Sequence, residues 1–356
     1  MSIFALNFKR SEIESFAFIS CKNCYAHSSY AEGNNKPHNM SNLTNNHGRG
    51  YEYACLYELY NEIGKYRLVR IITNSSLEAA KRAYATLTSA EKKNYRISAK
   101  AMIPALFECE PRIIEADSEF LDLYIQQDEE GKKGDVRDII VARKALRWEI
   151  GLSIKHNHFA VKHSRLSPTI DFGDKWFGYA CSNSYWDEVK PVFGYLSKQK
   201  ERGKKFNELP HKETAVYVPI LNAFMNELKA QYKKHKDIPR KMVEYLLSKY
   251  DFYKIISVNR QNLTEIQAYN THGTLNKPAG KVRPKIIVPI SMLPTRIVNV
   301  GFVPGRNNTV ELFFDGGWSF TFRIHNAETY ATPSLKFDIQ LTGVPTSIVT
   351  INCLWR

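Results

Sequence analysis

Residues 134–157 read GDVRDIIVARKALRWEIGLSIKHN, and the fold turns on them. A polar, glycine-containing approach brings Asp135 and Asp138 up to an apolar run, IIVAR. A turn near Lys144 follows, and then a second run, WEIGLSIKH. Two runs of strand length around a short turn predict an antiparallel hairpin. In the second run Trp148, Ile150, Leu152 and Ile154 alternate with Glu149, Gly151, Ser153 and Lys155. Successive side chains of a strand point to opposite faces, so one face is oily and the other carries a carboxylate, a hydroxyl and an ammonium group.

Upstream, residues 26–48 are rich in Asn, Ser and Gly and have no hydrophobic period. Residues 1–47 are therefore expected to be a flexible leader, with Met40 as the functional start. Tyr53, Leu56, Tyr57, Tyr60 and Ile63 recur at helical spacing. A short strand is expected at 68–73, then a helix capped by Ser75 or Ser76, then a mostly helical stretch over 90–127 broken at Pro104 and Pro111. Downstream, Leu221, Phe224, Met225, Leu228 and Tyr232 mark one face of a long helix, and RKMVEYLLSKY forms another after Pro239. From residue 253 the period changes to 2 in YKIISV, RIVNVGFV, TVELFF, WSFTFRI, LKFDIQL and SIVTINCLW. The expected organisation is an α/β core over 48–252, a mixed sheet flanked by helices, with a β-rich C-terminal module over 253–356.

Lys and Arg outnumber Asp and Glu by 50 to 36 in 356 residues, a formal net charge of +14. Such an excess points to polyanionic partners, nucleic acid first. No run of about 18 apolar residues exists to span a bilayer, and charges interrupt the N-terminus where a signal peptide needs an apolar run. A cytoplasmic location is expected. The six cysteines read as free thiols; Cys21 and Cys24 have zinc-knuckle spacing, with His27 and His38 downstream, but no second Cys-x-x-Cys completes a set of four ligands.

The polar face of the second strand suits chemistry. Glu149, Ser153 and Lys155 point one way, and an acid on the preceding strand can stand opposite them. Oxygen ligands gathered on one surface suit a hard cation such as magnesium. A lysine beside the cation can orient or deprotonate a water, and the two together suit phosphodiester hydrolysis. The basic turn that follows adds His156, His158, Lys162, His163 and Arg165; His158, Lys162 and Arg165 are expected on one helical face, facing phosphates. In the C-terminal module Arg296, Arg306 and Arg323, with exposed aromatics such as Trp318, are candidates for reading bases, since arginine pairs bidentately with guanine.

An acid at the start of a hairpin, followed by a strand ending in carboxylate-x-lysine, is the PD-(D/E)XK nuclease signature. Here the triplet is Ser153-Ile154-Lys155. The blocks GDVRDII, WEIGLSIKHNH, AVKHSRLS, IDFGDKW, NVGFVPG and SLKFDIQLTG resemble the HaeIII-type family of type II restriction endonucleases, from about Gly48 to the C-terminus. The resemblance implies a restriction-endonuclease-like core and a magnesium-dependent enzyme cutting duplex DNA at GGCC. It also implies a protecting cytosine methyltransferase as functional partner and a homodimer on the palindrome. Serine stands where the signature has Asp or Glu, so the second acidic ligand must come from elsewhere. Glu149 lies about 13 Å from Ser153 along an extended strand; Glu52, on the first helix, is the other candidate. Asp138 and Lys155 rank first, then Asp135, Glu52 and Glu149. Two other readings stay open: an inactive nuclease fold that only binds DNA, and a nuclease of looser specificity.

Overall fold

The computed structural model describes residues 40–127, 135–157 and 161–356, with the backbone alone for 40–45. Cys21, Cys24, His27, His38 and His158 lie outside the described residues. The chain packs as one unit from Leu43 to Arg356.

Helix α1 (Met40–Ile63) is followed by β1 (Val69–Ile71), α2 (Ser75–Ala85), α3 (Ser89–Cys109) and β2 (Leu121–Ile125). Four details depart from the expectations. Residues 40–47, assigned to the leader, are helical: extending a helix already anchored by packing is far easier than nucleating one, so weak helix formers are carried along. The cap of α2 is Asn74, whose side chain accepts from Leu77 N at 2.8 Å, in place of Ser75 or Ser76. Helix α3 runs through Pro104, which sits on its exposed side, where water can take the carbonyl that loses its partner. Residues 121–125, read as part of a mostly helical stretch, are strand β2.

The decisive hairpin forms as expected. Strand β3 (Ile139–Arg143) and β4 (Trp148–His156) pair antiparallel, with Ile140 opposite Gly151 and Ala142 opposite Glu149. Strand β5 (Lys162–Leu166) follows, so Lys162 and Arg165 belong to a strand. The expected helical face does not exist there, because the segment pairs with a C-terminal strand. Next come α4 (Phe172–Phe177), α5 (Asn183–Glu201), α6 (Val218–Lys234), α7 (Ile238–Leu246), β6 (Phe252–Val258) and β7 (Leu263–Tyr269). The last strands are β8 (Ile297–Phe302), β9 (Thr309–Phe314), β10 (Ser319–Asn326), β11 (Leu335–Gly343) and β12 (Val349–Leu354).

A mixed sheet has the order β1-β2-β3-β4-β6-β7-β12, parallel at β1/β2 and at β4/β6. A second, antiparallel sheet has the order β5-β11-β10-β9-β8. The sheets exchange strands across residue 252, since β6, β7 and β12 complete the first sheet and β5 edges the second. The oily face of β4 packs with α1 and α3 in one core cluster. Helices α4 to α7 pack with the inner face of the second sheet in another. Burial of side chains such as Leu152 or Ile154 contributes roughly 1.5–3 kcal/mol each. Trp318, expected to be exposed, is buried, and its indole N–H donates to the carbonyl of Met292 at 2.9 Å. Among the described residues no helix is long and apolar enough to cross a membrane.

Candidate active site

Asp138 stands one residue before β3, and its backbone N–H donates to the carbonyl of Leu152 at 2.8 Å. That register puts its carboxylate against the end of β4. Oδ2 accepts from Lys155 Nζ at 3.0 Å, from the N–H of Ile154 at 2.6 Å and from Ser153 Oγ at 3.4 Å. All three bonds fall on Oδ2; Oδ1 takes none of them. Asp135, Asp138, Ser153 and Lys155 line a cavity of about 420 Å³ that also receives Lys162, His163, Lys254 and Tyr269. Burial works to lower the pKa of Lys155, but the carboxylates of Asp138 and Glu52 outweigh it and leave the pKa raised. Lys155 is therefore a fixed cation at neutral pH.

Glu52 thus acts on Lys155 from α1. The position of that helix is set by the neighbouring Tyr51, whose hydroxyl meets Ser98 Oγ at 2.7 Å, which in turn meets Thr264 Oγ1 at 2.7 Å. This buried polar chain ties α1 to α3 and β7, and it fixes the helix turn that carries Glu52.

Glu149 does not join the group. Arg137 lies over Gly151, where a methyl group would overlap its Cγ and Cδ. Its Nη1 donates to Glu149 Oε1 at 2.8 Å, while Nε and Nη2 hold both oxygens of Asp135 at 2.7–3.0 Å. Glu149 therefore opens to a different cavity from Lys155. Asp135 lines the first cavity, but its oxygens are occupied by the guanidinium. Ser153 is buried and bonded to Asp138, as the shared strand face requires.

The basic residues from the end of β4 onward divide. His156 belongs to the oily face: its ring stands 4.8 Å from that of Tyr95, and Nδ1 meets Ser257 Oγ at 2.7 Å. Burial, and then the nearby His47, push its pKa down to about 4, so it carries no charge for a phosphate at neutral pH. As a phosphate contact it could serve only as a neutral hydrogen-bond donor. Lys162 reaches into the cavity over the ring of Tyr245 and donates to that residue's carbonyl at 2.6 Å. His163, Asp338 and Arg323 form one cross-strand row on the second sheet, with Arg323 3.1 Å from Asp338. Arg165 extends from the edge strand and donates to Ser334 Oγ at 3.3 Å.

Two residues were missed by sequence reading. Arg137 sits inside the decisive stretch, between two acids, but its side chain folds back over Gly151, which is paired with Ile140, so no local signal marks it. Lys254 interrupts the apolar run of β6, opposite Ser153; burial, and then the charge of Lys155, push it down to about 8.

The sequence profile of the HaeIII restriction endonuclease family matches residues 48–345. The chain belongs to the HaeIII restriction endonuclease family. Membership makes it a hydrolase of the restriction-endonuclease class, and the sheet with flanking helices plus a second β-sheet is the architecture expected of it. The type II restriction enzyme HaeIII of Haemophilus aegyptius is 48% identical over 318 residues, which is 89% of this chain and 100% of the relative. No solved structure matches the chain.

Proposed function

We propose that the protein is a type II restriction endonuclease that hydrolyses phosphodiester bonds of duplex DNA at the palindrome GGCC and requires magnesium. The observation that carries the reading is the Asp138 carboxylate held 3.0 Å from the Lys155 ammonium on the polar face of a hairpin, inside a cavity rimmed by further cations. Among the described residues no cluster of three acidic, His or Cys side chains that could hold a metal is present. That fits magnesium well enough, because this ion is commonly held by one or two carboxylates, with waters and phosphate oxygens filling its other positions. Asp138 and Glu52 would hold it, with Ser153 beside them. When bound, magnesium lowers the pKa of a water and neutralises charge on the phosphate. Lys155 stays charged next to the reacting phosphate and orients the attacking water, while Lys162 and Lys254 keep the cavity attractive to a polyanion.

Sequence is read, on this account, by the second sheet. His163, Arg165 and Arg323 stand on one face of it, which supports β5 with β8 to β11 as the recognition part. A palindrome read by identical subunits calls for a homodimer with one site per strand. The functional partner is a cytosine methyltransferase that protects the same site in the cytoplasm. Digestion of a plasmid of known sequence tests the proposal. Discrete fragments ending at GGCC are expected, dependent on magnesium and blocked by cytosine methylation. A smear would replace site specificity with a looser nuclease, and binding without cleavage would leave only a DNA-binding protein.

A further inference from the structure

A second cavity, of about 500 Å³, opens on the other side of Arg137 from Asp138 and Lys155. Arg112, Arg147, Lys249 and Lys277 bring positive charge to its wall. The carboxylates there are already committed. Glu149 holds Arg137, and the buried Asp251 accepts from the backbone N–H groups of Thr271, His272 and Thr274 at 2.6–2.8 Å. Arg112 is anchored by Nε to the carbonyl of Pro278 at 2.8 Å. Arg147, Lys249 and Lys277 are exposed, and their charged groups have no carboxylate partner among the described residues. Positive charge in excess of the two carboxylates, on side chains without a carboxylate partner and gathered in a concave site, suits a phosphate.

The turn that carries Arg147 gives an independent reason. Lys144–Leu146 form a single 3-10 turn, and Arg147 closes it with φ 48° and ψ 41°, in the left-handed region. The hairpin of β6 and β7 uses the same device: Asn259–Gln261, closed by Asn262 at φ 49° and ψ 46°. Asparagine tolerates this conformation and glycine adopts it freely, whereas arginine is strained there. One hairpin thus has the residue the turn favours. The other, whose turn faces the cavity, has a guanidinium instead.

The two cavities also share a field. Lys162, on the wall of the catalytic cavity, is pushed down to about 8 by burial and then by the charge of Lys249, on the wall of the second.

We propose that the second cavity receives a phosphate of the DNA backbone away from the bond that is cut, contacted by Arg147, Lys249 and Lys277. The proposal rests on the nuclease reading and adds a second point at which the duplex is held. Such a contact positions the duplex without reading its sequence.

The test uses the full chain and the variants Arg147→Gly, Lys249→Ala and Lys277→Ala, with Asn262→Gly as the matched control. Glycine suits both turns, so Arg147→Gly removes the side chain without endangering the hairpin, and an unchanged melting temperature verifies this. Affinity is measured for a GGCC duplex and for an unrelated duplex over a range of salt. Each cavity variant is expected to bind both duplexes roughly 3- to 10-fold more weakly, with the slope of log K against log salt shallower by about one. Asn262→Gly should bind like the wild type. Wild-type affinity and slope in Arg147→Gly and Lys249→Ala would overturn the proposal. So would stabilisation by inorganic phosphate that the variants lose while their DNA affinity stays intact, since the cavity would then serve the free ion. A wild type that cuts DNA alongside variants that bind normally would sink the cavity alone. A wild type that neither binds nor cuts would take down both readings.

Discussion

Glu52 and Glu149 separate by what each carboxylate meets. Glu52 raises the proton affinity of Lys155, whereas Glu149 is held by Arg137 and faces the other cavity. Glu52→Gln should therefore raise the magnesium concentration needed for half-maximal cleavage by about tenfold, as loss of a ligand carboxylate weakens a site. Glu149→Gln should leave that requirement within a factor of two or so and act on stability instead, because it loosens a partly buried ion pair. A magnesium titration of both variants checks this; an unchanged requirement in Glu52→Gln would return the ligand role to another group. His156 makes a prediction of opposite kind. Its folded pKa of about 4 lies below the ordinary histidine value. The neutral ring thus stabilises the fold fully above pH 6.5 or so, and that contribution is lost as pH falls toward 4, because the unfolded chain takes up the proton first. The loss amounts to at most roughly 3 kcal/mol. Urea denaturation at stepped pH should show it, and His156→Gln should flatten the profile over that window. Equal acid sensitivity in the variant would show that other groups are responsible.

At the scale of elements, the hairpin does two jobs with one polar face. Its far end presents Ser153 and Lys155 to Asp138, and its near end is closed by Arg137 lying over Gly151. Gly151→Ala would push the guanidinium off Asp135 and Glu149. The expected destabilisation is about 2–4 kcal/mol, between simple overpacking and rupture of a buried ion pair. Denaturant midpoints measure it; a variant as stable as the wild type would mean that Arg137 has another place to go. Much of this hairpin was legible. Its alternation gave the strand and the polar face, because period-2 burial is a local property of the chain, while the rank of Asp138 and Lys155 came from the resemblance to the nuclease signature. The separation of Glu149 from Lys155 was not legible, since it depends on an arginine folding back across the pair. The strand nature of Lys162–Leu166 was hidden for a related reason. Its partner, β11, lies some 170 residues away, and nothing local marks the pairing.

For the whole molecule, the second sheet brings β5 from mid-chain against β8 to β11, so the runs after 253 were readable as strands although their sheet membership was not. Lys254 was overlooked because a lysine in an apolar strand reads locally as an edge residue, and only the parallel pairing with β4 places it in the cavity. The helix carrying Glu52 was readable, but the buried chain from Tyr51 through Ser98 to Thr264 that holds it spans three elements. The central proposal is that the hairpin's polar face is the floor of a phosphodiesterase site. Single-turnover cleavage of a GGCC duplex by Lys155→Ala, with DNA binding measured on the same preparation, tests it most directly. The expected result is cleavage reduced by at least about a thousandfold, as for removal of a group that stabilises transition-state charge. DNA binding should be retained within roughly tenfold, because affinity is spread over many phosphate contacts. Cleavage at the wild-type rate would contradict it.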